Sequence, residues 1–251
     1  MASSNQIYFV TGGNRGLGLG LVKSLLARPA TTVVASVRNE EAAISLKAET
    51  QAITTGEQSS LHIFQLDFSS AIAPEKVVET VNAVDGIDHI DVLICNAGYA
   101  APMVLAALTS AEDLRASFET NTIAPLLVFQ GLWPLLQKSV APKLINITSS
   151  VGSIGGQEPF PGGAYGPSRA AGNWLSRALH VQHPNLIVVA LHPGWVQTRA
   201  GEFVAQQWGY AAGPPETIGN SVRGMLQVID GATREATSGK FITYEGQELP
   251  W

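Results

Sequence analysis

Residues 6–18 read QIYFVTGGNRGLG, an apolar β-branched and aromatic run that breaks into glycines and then opens a helix-like pattern. The run reads as a buried strand. Gly12, Gly16 and Gly18 permit a tight turn and close approach of a phosphate to the backbone. A helix starting there adds amide donors and positive potential. Glycine-rich turns are frequent and mostly structural, and this spacing differs from the commoner G-x-G-x-x-G. Its place between a first strand and a first helix points to a dinucleotide, with Asn14, Arg15 and Leu17 completing the loop.

Outward from this stretch, further strands are expected at 31–37 (TTVVASV), 61–66 (LHIFQL), 90–95 (IDVLIC), 142–148 (PKLINIT), 186–191 (LIVVAL) and 239–243 (GKFIT). Helical patterns lie between them near 16–28, 39–52, 74–84, 112–138, 164–182 and 215–230. Several strands are nearly continuous apolar runs, as parallel strands covered on both faces are. No repeat or linker divides the chain. The expectation is a single doubly wound α/β domain of Rossmann type over 1–251, with a mostly parallel sheet of about seven strands flanked by helices. Pro125 and Pro134 each remove a backbone donor, so 112–138 should bend or split. Two stretches, 150–163 and 198–214, read as loops beyond strand ends, where open α/β sheets bind ligands.

Composition narrows the class. The 251 residues are 45% hydrophobic and only 14% charged, against about 25% charged in ordinary soluble domains. Net charge is −5 with no basic block, which argues against nucleic acid. A lone Cys95 forms no internal disulfide and fits a reducing, cytoplasmic compartment. No apolar run approaches the roughly 18 residues of a membrane helix, and the start lacks a signal-peptide pattern. The five histidines show no metal-ligand spacing, so no metal is expected. His180 and His183, ahead of Pro184, read as cations favouring a helix end. Trp133 and Trp174 read as helix-packing residues, whereas Trp195, Phe203, Trp208 and Tyr210 could line an apolar pocket or simply pack.

The end of the second strand selects the dinucleotide. An NAD site usually places an acid about 20 residues beyond the glycines; here that count from Gly18 reaches Arg38. Arginine can make paired, charge-assisted bonds to a phosphate, and Arg15 could reach the same group. These arginines favour NADPH over NADH. Asp67, after the third strand, could accept a bond from adenine or simply form a turn. Asn96, Ala97 and Gly98 follow the fourth strand at the same edge.

Further motifs follow in order: Asn121, then Ile147-Thr148-Ser149-Ser150-Val151-Gly152, Tyr165-Gly166-Pro167-Ser168-Arg169, and Pro193-Gly194-Trp195-Val196-Gln197-Thr198. With the glycine loop and Asn96-Ala97-Gly98, this order resembles the short-chain dehydrogenase/reductase family along essentially the whole chain. The ending, GKF…YEG…PW, resembles its carbonyl-reductase-like branch, which includes fungal norsolorinic acid ketoreductases. The resemblance implies that Tyr165 protonates a carbonyl oxygen while NADPH gives hydride to carbon. It implies that Ser149 holds that oxygen, and that Asn121 supports a water relay. It also implies that Asn96, Ala97 and Gly98 line the cofactor, and that Pro193, Gly194, Val196 and Thr198 cover its nicotinamide end. The spacing from Ser149 to Tyr165 exceeds the family's, indicating a substrate-specific insertion.

Where the family carries lysine, four positions after the tyrosine, this chain carries Arg169. The two positions share a helical face, and a cation there favours the ionised phenol and can bind ribose. Arginine keeps the charge but cannot release its proton. An iminium substrate, already cationic, would need hydride with little help from a proton donor. The leading expectation is NADPH-dependent reduction of a ketone, imine or iminium in a small polycyclic metabolite. The alternatives are a cofactor-retaining non-redox or bifunctional catalyst and a non-catalytic NADPH-binding protein. Members of the family often pair through helices corresponding to 112–138 and 164–182, implying a homodimer or homotetramer.

Overall fold

The computed structural model describes residues 5–251. The strands are β1 (Gln6–Thr11), β2 (Thr31–Val37), β3 (Ser60–Gln65), β4 (Val92–Cys95), β5 (Lys143–Ile147), β6 (Ile187–His192) and β7 (Lys240–Thr243). They form one sheet in the order β3-β2-β1-β4-β5-β6-β7, and every neighbouring pair is parallel. Helices α1 (Gly16–Leu26), α2 (Glu40–Gln51) and α3 (Pro74–Asn82) lie between the early strands. Helices α4 (Ala111–Phe118), α5 (Ala124–Leu136), α6 (Tyr165–Gln182), α7 (Arg199–Gln207) and α8 (Ile218–Gly231) follow.

Alternation along β1 explains why the sheet is covered twice. Tyr8 and Val10 enter a core with Leu21, Leu25, Met225 and Ile229 of α1 and α8. Ile7 and Phe9 point the other way, among Val77, Leu132 and Leu136 of α3 and α5. Successive strand residues face opposite sides, so a strand buried on both must be apolar throughout. The chain winds outward from β1 through β2 to β3, then restarts at β4 on the other side of β1. That reversal opens a crevice between the ends of β1 and β4, and it places the glycine loop beside Asn96-Ala97-Gly98.

Within 112–138, α4 passes into a π-helical turn, Glu119–Ile123, and on into α5. Pro125 stands in the first turn of α5, where a missing N–H costs little, and Pro134 in its last. The expected loop 198–214 is corrected: it contains α7, because Thr198 Oγ1 accepts from Gly201 N–H and caps a real helix. Trp174 is also corrected. It is 69% exposed on α6 and does not pack helices together, whereas Trp133 lies 4.4 Å from His183 and 5.4 Å from Phe129.

The histidines at the end of α6 are not its cations. Burial lowers the pKa of both His180 and His183, and the charge comes instead from Arg234, which donates to His180 O at 2.8 Å. After β7 the tail folds back, with Leu249 N–H donating to Phe241 O at 2.8 Å and Trp251 stacking on Phe241. Gly155 N–H in the 150–163 loop then donates to Trp251 O at 2.6 Å, so the tail anchors that loop. No helix among the described residues is long and apolar enough to cross a membrane.

Candidate active site

At the switch point the glycine loop is fastened from the side. Thr11 Oγ1 accepts from the backbone N–H of Asn96 and of Ala97, each at 2.9 Å. Asn96 Nδ2 donates to Thr11 O at 2.9 Å and Gly12 O at 3.3 Å. Gly12, at φ +68°, would be strained by any side chain, and a Cβ would also sit a tight 3.1 Å from Ala97 Cα. Gly18 is tighter still: a Cβ would lie 2.0 Å from Gly12 O. The first turn of α1 is thus bare backbone, the surface a phosphate needs. Asn14 and Leu17 lie half-buried in the same loop, and Thr198 Cγ2 approaches Gly16 from across the crevice.

Arg15 and Arg38 are exposed at this edge. Asp67 is exposed too, and its Oδ1 accepts from Ser69 N–H at 2.9 Å and Ser69 Oγ at 2.7 Å. Those bonds, with the charge of Arg38 adding, hold its carboxyl below the usual range.

Ser149 follows β5 and opens a 3-10 turn, Ser150–Gly152, where its Oγ accepts from Val151 N–H at 3.2 Å. With that lone pair engaged, the hydroxyl hydrogen is left to donate outward. The turn is held from behind by His192 at the end of β6, whose Nδ1 accepts from Ser150 N–H at 3.2 Å. An accepting Nδ1 requires a neutral ring, and burial pushes the His192 pKa down to about 4. The folded chain therefore stays unprotonated where an unfolded histidine, near 6.5, takes up a proton. Stability should fall as pH drops through that window, by up to about 3 kcal/mol, with His180 and His183 acting in the same direction. His192→Asn, which retains an acceptor, is expected to flatten the loss partly when urea midpoints are measured from pH 7 to pH 4.

Tyr165 is the first residue of α6 and half-buried. One turn on, Arg169 is only 6% exposed, with its guanidinium carbon 5.0 Å from the centroid of the Tyr165 ring. Its Nη1 donates to Ile147 O at 3.0 Å, and its Nη2 lies where a Cβ on Gly98 would come within 2.3 Å. A Cβ on Gly152 would likewise lie 2.6 Å from Arg169 Cβ. Thr148 Oγ1 donates to Asn173 Oδ1 at 2.7 Å, so the Ser149 turn and α6 are one packed unit.

Asn121, in the π-turn, is buried with its side chain fully used. Its Oδ1 accepts from Tyr99 N–H at 2.8 Å, and its Nδ2 donates to Tyr99 O at 2.9 Å and Ser168 Oγ at 3.0 Å. It therefore locks the Gly98–Tyr99 segment to α6. Its side chain touches neither Tyr165 nor Ser149 in any of these bonds.

Pro193–Thr198 crosses the same edge. Pro193 O accepts from Ser221 Oγ at 2.6 Å, and buried Val196 bridges to Glu216 as a short parallel pair. The Trp195 ring meets Trp208 at 5.5 Å and Tyr210 at 5.0 Å, and Phe160 stacks on Trp208 at 4.8 Å. Trp208 Nε1 donates to Pro161 O at 3.0 Å, joining the 150–163 loop to the end of α7. Cys95 is buried in β4, and burial pushes its thiol up to about 12, so it is no nucleophile.

Ser149, Tyr165, Arg169, Asn96, Ala97, Gly98 and the glycine loop thus share one edge of the sheet. Sequence reasoning missed Thr11, His192 and Ser168, which hold that edge together. Only the position of Thr11, at a strand end just before the glycines, carried a readable signal.

A model of the short chain dehydrogenase family matches residues 6–208. Norsolorinic acid ketoreductase of Aspergillus parasiticus is 35% identical over 98% of this chain and 91% of its own length. Among solved structures, carbonyl reductase Sniffer of D. melanogaster superposes with a TM-score of 0.84 at 30% identity, covering 99% of this chain and all of that one. NADPH-bound carbonyl reductase from chicken fatty liver gives 0.81 at 29% identity, covering 99% and 95%. The match over most of the chain, on a seven-stranded parallel sheet with the glycine loop at its switch point, places this protein in the short-chain dehydrogenase/reductase family of oxidoreductases.

Proposed function

We propose that the protein is an NADPH-dependent reductase of a ketone, or a related C=N group, in a small flat polycyclic metabolite. The observation that carries this reading is the Arg169 guanidinium, buried against the Tyr165 ring and donating to Ile147 O two residues before Ser149, beside the dinucleotide-type crevice. The bare backbone of Gly12 and Gly18 fits a pyrophosphate, and Arg15 and Arg38 with no acid at the end of β2 fit a 2′-phosphate. NADPH, when bound, supplies the hydride.

The chain's own residues do the rest. Ser149 O–H donates to the substrate oxygen, fixing it beside Tyr165. The Tyr165 hydroxyl passes its proton to that oxygen as negative charge develops there. Arg169, in the position the family resemblance gives to lysine, keeps a permanent positive charge beside the phenol. Pro193–Thr198 would cover the nicotinamide end. Asn121 and His192 hold the walls in place.

The aromatic cluster of Phe160, Trp195, Trp208 and Tyr210, with exposed Leu105 and Leu108 shortly after Val104, whose O accepts from Gly163 N–H, supports a flat apolar substrate. The 150–163 loop and the end of α7 would form its walls within one domain. Exposed Trp174, in a groove with Leu126, Trp133 and Leu175 between α5 and α6, supports pairing of two copies through that face. Intact Ser149 and Tyr165 favour a reductase over a non-catalytic binder.

The test is cofactor titration by fluorescence, followed by turnover of bicyclic and tricyclic aromatic ketones at 340 nm. Wild type should bind NADPH at least about tenfold more tightly than NADH. Arg38→Asp should weaken NADPH by about 10- to 100-fold while leaving NADH nearly unchanged. Equal affinity for the two cofactors in wild type would reject the phosphate assignment.

A further inference from the structure

Pro193–Thr198 is fastened by a contact that no step of the proposed reduction requires. After β6 the chain turns at Gly194, with φ at +84°, and a Cβ there would lie 2.9 Å from Tyr244 Cε1. At the opposite ring edge, a Cβ on Gly224 of α8 would meet Tyr244 Cδ2 at 2.8 Å and Tyr244 O at 2.5 Å. The ring is therefore held between two glycine backbones, where any larger residue would displace it.

Its hydroxyl then donates to Glu216 Oε2. Glu216 is itself part of the covering segment's support. Gln197 N–H donates to Glu216 O at 2.8 Å, and Glu216 N–H donates to Trp195 O at 3.1 Å. The other carboxylate oxygen accepts from Thr217 N–H at 2.7 Å at the start of α8. Hydrogen bonding holds the Glu216 carboxyl below its usual range and pushes the Tyr244 phenol up to about 12. The charged acceptor and the protonated donor thus coexist across the neutral range.

We propose that Tyr244 and Glu216 are positioning residues that latch Pro193–Thr198 over the nicotinamide half of the cofactor and so set how slowly the cofactor leaves. The proposal rests on the reading that this segment covers that half. The bond spans from the end of β7 to the segment preceding α8, so removing it loosens the cover while the glycine-held ring can stay in place. Such a latch acts only on ligands that possess the nicotinamide half; the adenosine half would be held beyond the glycine loop, by Arg15 and Arg38 at the end of β2.

That asymmetry supplies the test, on the full chain, with NADPH and 2′,5′-ADP as probes. Tyr244→Phe and Glu216→Ala should each raise the NADPH Kd by about 5- to 20-fold, through faster dissociation in stopped flow. Their affinity for 2′,5′-ADP should stay within about twofold of wild type. Glu216→Gln, whose amide oxygen still accepts from the phenol, should fall between them and wild type. Unchanged NADPH binding in both variants overturns the latch, as does an equal loss of 2′,5′-ADP affinity, which marks general damage. If wild type itself binds no NADPH, the cofactor reading and the latch fall together. Wild-type binding with unaltered variants rejects the latch alone.

Discussion

Tyr165→Phe should lower kcat for ketone reduction by about 10²- to 10⁴-fold, the usual contribution of a positioned general acid. The substitution removes one oxygen and leaves the ring on which the Arg169 guanidinium rests, 5.0 Å from its centroid. The site's packing should therefore survive. NADPH affinity should stay within about twofold, since the hydroxyl is asked to act on the substrate oxygen. Steady-state rates with cofactor titrations on the same preparations separate the two effects. Undiminished turnover of a ketone would remove Tyr165 from the proton-donor role. Retained turnover of an iminium alongside a lost ketone reaction would instead show that the acid is needed only where the substrate brings no charge of its own.

Arg169 offers the second large effect, because its charge and its shape can be tested apart. Arg169→Met removes the donor to Ile147 O, the bond of 3.0 Å that satisfies a buried carbonyl. Leaving that group unpaired costs about 1–3 kcal/mol. For a chain of this size the melting midpoint should drop by about 2–12 °C. Losing the charge beside Tyr165 should also lower kcat by about 10²-fold or more. Arg169→Lys keeps the charge but not the planar fork, so a loss of about tenfold is expected.

Gly98 distinguishes shape from charge. A Cβ there would come within 2.3 Å of Arg169 Nη2, and for the buried guanidinium to give way strains its Nη1 bond to Ile147 O. Gly98→Ala should therefore be severe alone, at about 10- to 100-fold in kcat/KM, and milder in the Arg169→Lys background. That cycle should show a coupling of about 1–2 kcal/mol. Additive effects would mean that Gly98 and Arg169 act independently.

The sheet was legible because its strands are buried on both faces. Continuous apolar runs such as TTVVASV at 31–37 admit few other readings, and the observed strands begin and end within about two residues of those expected. The glycine loop was legible from its local spacing, whereas Ser149, Tyr165 and Arg169 were singled out by the resemblance of their motifs to the family. Helix α7 was missed because Gly201 and a mixed composition in TRAGEFVAQQ outweighed the Thr198 cap. Trp174 was misread because an aromatic residue at helical spacing gives no sign of which face it occupies. The charge at the end of α6 was assigned to nearby histidines, whereas it arrives from Arg234, far along the chain.

The chain's linear order alone determined the α/β class, the parallel sheet, the place of the dinucleotide-type turn and the candidate reacting residues. The first three follow from periodicity or from neighbours only a few positions apart, and the reacting residues from the resemblance of the ordered motifs to the family. The folded arrangement alone decided where the Arg169 guanidinium goes, that Asn121 is spent on Tyr99 and Ser168, and that His192 braces the Ser149 turn. It also decided that Tyr244 reaches Glu216. Those contacts join residues tens of positions apart, and which side chains meet there is set by how helices seat on a twisted sheet, a quantity no local pattern encodes.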